Sequence, residues 1–157
     1  MQQRINVHEN GQSALKAMYG LGGYLAKSSL EKPLLNLLYF RVSQINGCAC
    51  CLDMHSKDLR AAGETEQRLY LLDAWRESPF YTDRERAALA WAEAITNLTE
   101  GHVPDDIYEQ ARTQFSEEDV IDLTMAVITI NGYNRINVAF RTTAGAYQPG
   151  AYAVQAN

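Results

Sequence analysis

Apolar residues recur along this chain at helical rather than strand spacing. Between Gln12 and Ser28 they fall at Ala14, Leu15, Met18, Leu21 and Leu25, the three- and four-residue steps of one helix face. Gly20, Gly22 and Gly23 lie inside that segment and predict a kink or break. Ser28-x-x-Glu31 reads as a capping box, with Pro33 tolerated in a first turn. Leu34, Leu35, Leu37, Leu38, Phe40, Val42 and Ile45 follow. That helix is apolar on most sides, which predicts burial.

Asn46-Gly47 interrupts the pattern, and a second helix is predicted from Cys48 to near Gly63, a residue suited to the position after a helix. Thr65 can cap a helix carrying Leu69, Leu72 and Trp75. Thr82-x-x-Glu85 is a capping box ahead of Ala88, Trp91, Ile95 and Leu98. Pro104 predicts a first helical residue, with Ile107, Tyr108 and Ala111 behind it. Ser116 with Asp119 opens the last long segment. Val127-Ile128-Thr129-Ile130 is β-branched and strand-prone. The acidic Glu117-Glu118-Asp119 start suits a helix N-terminus, and no other segment offers a strand partner. The prediction is a buried helix to about Thr142, with Gly132 a weak point. The uncharged, tyrosine-bearing residues after Thr143 are expected to be loose or to pack on a neighbouring subunit. No repeat, linker or composition shift appears, so residues 1–157 read as one all-α domain of about six to eight helices.

Composition narrows the function classes. The 157 residues are 46% apolar and 21% charged, with a formal net charge of -5. No Lys/Arg run exists to hold nucleic acid. The apolar run Met125–Ile130 is too short to span a membrane. Met1-Gln2-Gln3-Arg4-Ile5-Asn6 lacks the apolar stretch of a secretory signal. No Gly-rich phosphate loop is present, so no nucleotide cofactor is expected. A cytoplasmic protein binding neither nucleic acid nor membrane is predicted.

The three cysteines, Cys48, Cys50 and Cys51, all sit within four positions. Any disulfide is therefore local and adds little through chain entropy. Clustered thiols point instead to chemistry or to a metal. Cys48 and Cys51 form a Cys-x-x-Cys pair, and His55 lies four residues beyond Cys51; on a helix these three share one face. A helix start at Cys48 directs backbone N–H groups at the first sulfur. That field lowers a thiol pKa from about 8.5 towards neutrality. An imidazole alongside can act as general base or proton relay. The spacing so supplies an attacking thiol, a resolving thiol and a proton shuttle. Zinc is the alternative, but it needs a fourth ligand beyond Cys48, Cys51 and His55. His8 and His102 are isolated and read as surface or capping residues. Cys50 reads as a small buried apolar residue. Asp53 and Asp58 read as solvated helix charges, and Trp75 and Trp91 as core or interface residues.

Ser43-Gln44-Ile45-Asn46-Gly47-Cys48-x-x-Cys51 followed by His55 resembles the alkyl hydroperoxidase D (AhpD)-like core of the carboxymuconolactone decarboxylase family. Ile130-Asn131-Gly132-Tyr133-Asn134-Arg135-Ile136-Asn137-Val138 is similar to that family's second signature. The resemblance covers about residues 30–142. It implies the family's all-helical AhpD-like fold, assembly as a homotrimer or homohexamer, and a thiol peroxidase or disulfide reductase for antioxidant defence. By that resemblance Cys51 attacks the hydroperoxide and becomes a sulfenic acid. Cys48 then condenses with it, leaving a redox-active Cys48–Cys51 disulfide and no need of an added cofactor or metal. A dithiol reductant, of the lipoyl-protein or thioredoxin-like kind, restores the pair. His55 matches the relay histidine. Two positions depart from the pattern. Asn36 stands where the AhpD pattern has a glutamate, and Ala49-Cys50 replaces the segment that often carries a histidine. The relay is then incomplete or rebuilt from other residues, with Glu31 and Glu93 the candidate acids. A reading from a different class is a single-turnover redox sensor, or a non-catalytic oligomeric binding protein, on the same fold. Repeated peroxide turnover separates the two.

Overall fold

One helix organises the rest. In a computed structural model of the chain, residues 2–98 and 102–151 are described. Among them there is no strand, and the α-helices are α1 (Val7–Asn10), α2 (Gln12–Leu25), α3 (Lys32–Ile45), α4 (Ala49–Ala61), α5 (Glu66–Leu71), α6 (Asp83–Thr96), α7 (Asp105–Gln114) and α8 (Glu117–Phe140). Helix α3 packs against α4, α6 and α8. Its apolar residues divide between two cores. Leu34, Leu35, Leu38 and Val42 join Trp91, Ala88, Leu123 and Val127 in one. Leu37 and Phe40 join Leu59, Leu72, Trp75 and Leu89 in the other. A helix apolar on most sides has to be covered on most sides, which is why α3 lies at the centre and carries the site at its C-terminal end.

The capping signals act as their side chains allow. Thr82 and Ser116 each close a full capping box, with Glu85 and Asp119 respectively, and Thr65 caps α5 through the Arg68 N–H. Three expectations change. Helix α2 runs through Gly20, Gly22 and Gly23 without a break, because burial of Leu15 and Leu25 outweighs the weak propensity of the glycines. Ser28 does not start a helix: its hydroxyl donates to the Leu25 carbonyl and closes α2. Glu31 is the N-cap residue of α3, with Pro33 in the first turn. Pro104 is an N-cap residue, its ψ of 141° still extended, and not the first helical residue.

Helix α8 is continuous and ends at Phe140, where Arg141 turns left-handed with φ 55°. The β-branched run stays helical because Val127 and Ile130 are buried against the α3 core, and tertiary packing overrides local preference. Gly132 is no weak point. A Cβ there would sit 2.7 Å from Met18 Cε, so the glycine permits the close approach of α2. Among the described residues no helix is long and apolar enough to cross a membrane.

Candidate active site at the α3–α4 turn

The turn between α3 and α4 places the cysteine pair. Gly47 reverses the chain with φ 62°, a conformation that favours glycine. The Cys48 N–H then donates to the Ser43 carbonyl at 3.1 Å. Cys48 is the N-cap residue of α4, and its sulfur accepts from the Cys51 N–H at 3.4 Å. That position brings the two Cα atoms to 5.4 Å, and Cys48 and Cys51 are joined as a disulfide, within the ordinary range for such a bridge. Both are buried, at 1% and 0% exposure. Cys50 is a free, half-buried thiol, not a core residue as expected. Its side chain leaves the Cys48–Cys51 face, and burial, then the Asp53 charge, pushes its pKa up.

One turn beyond Cys51, His55 is 7% exposed, and neither ring nitrogen has a hydrogen-bond partner. Burial pushes its pKa down to about 4, against a smaller opposing pull from Asp58. The imidazole is thus neutral at pH 7. The Tyr39 ring from α3 packs on it, centroids 5.4 Å apart, and burial raises the pKa of that phenol. An unpaired buried polar group costs free energy, so an orphaned imidazole beside a disulfide marks a place built for a reaction or a ligand.

Helix α8 supplies a row of amides that the sequence reading left unassigned. Asn137 Nδ2 donates to Cys51 Sγ at 3.3 Å. Asn134, fully buried, donates to Ser43 Oγ at 3.0 Å. The Asn46 amide donates to the side-chain oxygens of Asn131 and Asn134, each at 2.9 Å. Three asparagines spaced by three along one helix, Asn131, Asn134 and Asn137, were the available signal, since buried amides require partners. A groove of about 430 Å³ opens beside them, bordered by Asn46, Asn134, Arg135, Val138 and Ala139.

The acids expected to replace the missing glutamate are engaged elsewhere. Glu31 is paired with Arg84. Glu93 is held by Arg41, Arg76 and the Trp75 indole. Asn36 is half-buried on α3, one turn before Tyr39. Asp53 and Asp58 are not simply solvated. Asp53 accepts from Lys57 and the Gly145 N–H, and Asp58 accepts from the Tyr147 hydroxyl at 2.8 and 2.9 Å and from the Gly150 N–H. Lys57 also donates to the Gly145 and Tyr147 carbonyls. The segment 145–151 therefore straps the outer face of its own α4, where a loose tail or a neighbour's contact was expected; residues 152–157 lie outside the described residues. His8 lies in α1, and His102 is exposed in the segment before α7. Among the described residues no group of three or more His, Cys, Asp and Glu could hold a metal ion.

An all-α frame presenting a buried Cys-x-x-Cys disulfide at a helix start defines an AhpD-like protein. Residues 12–94 match the model of the carboxymuconolactone decarboxylase family, and the chain belongs to that family. The chain is 42% identical over 144 residues to the uncharacterized protein YdfG of Bacillus subtilis (strain 168), covering 92% of this chain and 98% of YdfG. It is likewise 42% identical to ATU0492 of Agrobacterium tumefaciens, a protein of unknown function and candidate antioxidant-defence protein AhpD. That structure superposes with a TM-score of 0.88 over 93% of this chain and 100% of its own. The alkylhydroperoxidase AhpD core protein of Ralstonia eutropha JMP134 shares the fold, with a TM-score of 0.75 at 18% identity over 86% of this chain and 72% of its own.

Proposed function

We propose that this protein is a thiol-dependent peroxidase or disulfide reductase whose working group is the Cys48–Cys51 pair. The observation that carries this reading is the buried Cys48–Cys51 disulfide with the unpaired, neutral imidazole of His55 one turn away. In the reduced protein His55 takes the Cys51 proton, and the thiolate attacks the terminal oxygen of a hydroperoxide. The O–O bond breaks, Cys51 becomes a sulfenic acid, and the departing alkoxide recovers the proton as an alcohol. The Cys48 thiol then displaces water from the sulfenic acid and re-forms the disulfide. An external dithiol, on a lipoyl or thioredoxin-like protein, reduces it by thiol exchange. Both sulfurs are buried, so we assign substrate entry to the groove at Asn46 and Val138, where Val138 and Ala139 suit the alkyl part of a hydroperoxide. We further propose that the protein works as a homotrimer or homohexamer.

The test is continuous peroxide consumption with a dithiol present. Many turnovers per subunit, with Cys50 remaining a free thiol in peptide mass maps, support the reading. A single equivalent consumed, with no recycling by any dithiol, replaces it with a redox sensor.

A further inference from the structure

Two different donors serve the two sulfurs of the pair. The sulfur of Cys48 receives the backbone N–H of Cys51, the ordinary hydrogen bond of an N-cap residue. The sulfur of Cys51 receives the side-chain amide of Asn137, from a helix 86 residues further along the chain. The helix start by itself favours the first cysteine of such a pair as the low-pKa thiolate. Something must offset that bias if the second cysteine attacks. We propose, resting on the peroxidase reading above, that Asn137 is the positioning residue that makes Cys51 rather than Cys48 the nucleophile.

The argument from charge is direct. A thiol or disulfide sulfur is a weak acceptor, whereas a thiolate is a charged one, and hydrogen bonds to charged groups are markedly stronger. The Asn137 amide therefore stabilises Cys51 most when it is ionised. The amide is held in register by the rest of its row. Asn131 and Asn134, about two turns and one turn before Asn137, both accept from Asn46, and Asn134 also donates to Ser43 on α3. Because Asn46 precedes Cys48 by two residues, the same ladder fixes the turn and the donor together. The titratable groups around Cys51 are Cys48 and His55 on its own side of the hairpin, with Tyr39 from α3 packed on His55; α8 contributes the neutral amide.

The experiment uses reduced full-length protein in two backgrounds, Cys48→Ser with Cys50→Ser and Cys51→Ser with Cys50→Ser, so that one thiol titrates at a time. Thiolate ultraviolet absorbance against pH is read with Asn137 intact and with Asn137→Ala. Loss of the donor is expected to raise the Cys51 midpoint by about one pH unit, an about tenfold fall in thiolate at neutral pH, while the Cys48 midpoint stays put. Asn137→Asp, the same size but an acceptor and an anion, is expected to raise it further; it keeps the test usable if the alanine variant fails to fold. Equal shifts in both backgrounds, or none in either, overturn the proposal. A selective Cys51 shift in a protein that never consumes peroxide removes the peroxidase reading and leaves the Asn137 assignment standing.

Discussion

Tyr39 on α3 and His55 on α4 pack as a tilted ring pair, centroids 5.4 Å apart, and together they seal the imidazole from water. The relationship has a thermodynamic consequence. His55 titrates near its usual 6.5 when the chain is unfolded and at about 4 in the fold. The unfolded chain therefore binds more protons between those values, and stability falls as pH drops from 6.5 towards 4. Between pH 7 and pH 5 the loss should be on the order of 2 kcal/mol. The carboxylates whose pKa the fold lowers, including Glu93, Asp53 and Asp119, lose their contribution only at lower pH. Urea midpoints at the two pH values measure the effect. His55→Phe should be nearly flat across the window; an equal slope in both proteins rules out His55 as the source.

The strap over α4 makes a separate prediction. Tyr147 donates to both oxygens of Asp58. Tyr147→Phe removes that donor and should cost about 1 kcal/mol, an ordinary figure for a partly exposed hydrogen bond to a charged group. Limited proteolysis should then cut after Arg141 faster than in the wild type. An unchanged digestion pattern and melting curve would mean that the Tyr147–Asp58 bond contributes nothing to holding the strap on the helix.

Helix architecture was readable where polar and apolar positions alternate cleanly. The capping box at Thr82, the Ser116–Asp119 start and the largely apolar surface of α3 announced their elements. The cysteine pair and His55 were readable because helical spacing of three and four residues is local arithmetic. The Asn46–Asn134–Ser43 ladder and the Asn137 contact were not, since each joins residues more than 80 positions apart. Asp53 and Asp58 looked like solvated charges for the same reason. Their partners lie in a tail with no periodicity to announce where it packs. The glycines of α2 misled because propensity is a weak local term, and burial of Leu15 and Leu25 decides that helix.

Asn36 replaces a titratable group with an amide, and neither Glu31 nor Glu93 is free to stand in, both being committed to arginines. Asn36→Glu is therefore expected to raise the second-order rate of peroxide reaction by about tenfold, below the usual range for general-base assistance because the half-buried site penalises a charge. Rates across pH 6 to 9 measure it. An unchanged or slower rate would show that the missing carboxylate does not limit the reaction.

Ile121 and Ile128, two turns apart on α8, are 62% and 49% exposed, and Leu98 is 51% exposed. Ile128 and Leu98 border one groove, with Gly132 in its wall. Apolar exposure of this kind is what an interface covers. Light scattering at micromolar concentration should give a trimer or hexamer, and Ile128→Glu should shift it towards monomer. A monomeric wild type would contradict the proposed assembly.

The most direct test of the proposed chemistry is peroxide reaction of two single variants. With a dithiol present, Cys51→Ser should consume no peroxide above background. Assayed without the dithiol, which would itself reduce a sulfenic acid, Cys48→Ser should consume one equivalent, leave Cys51 as a sulfenic acid that a sulfenic-specific reagent labels, and then fail to form the Cys48–Cys51 bridge. Sustained turnover by Cys51→Ser, or sulfenic acid found on Cys48 instead of Cys51 in the wild type, would contradict the assignment of Cys51 as the attacking thiol.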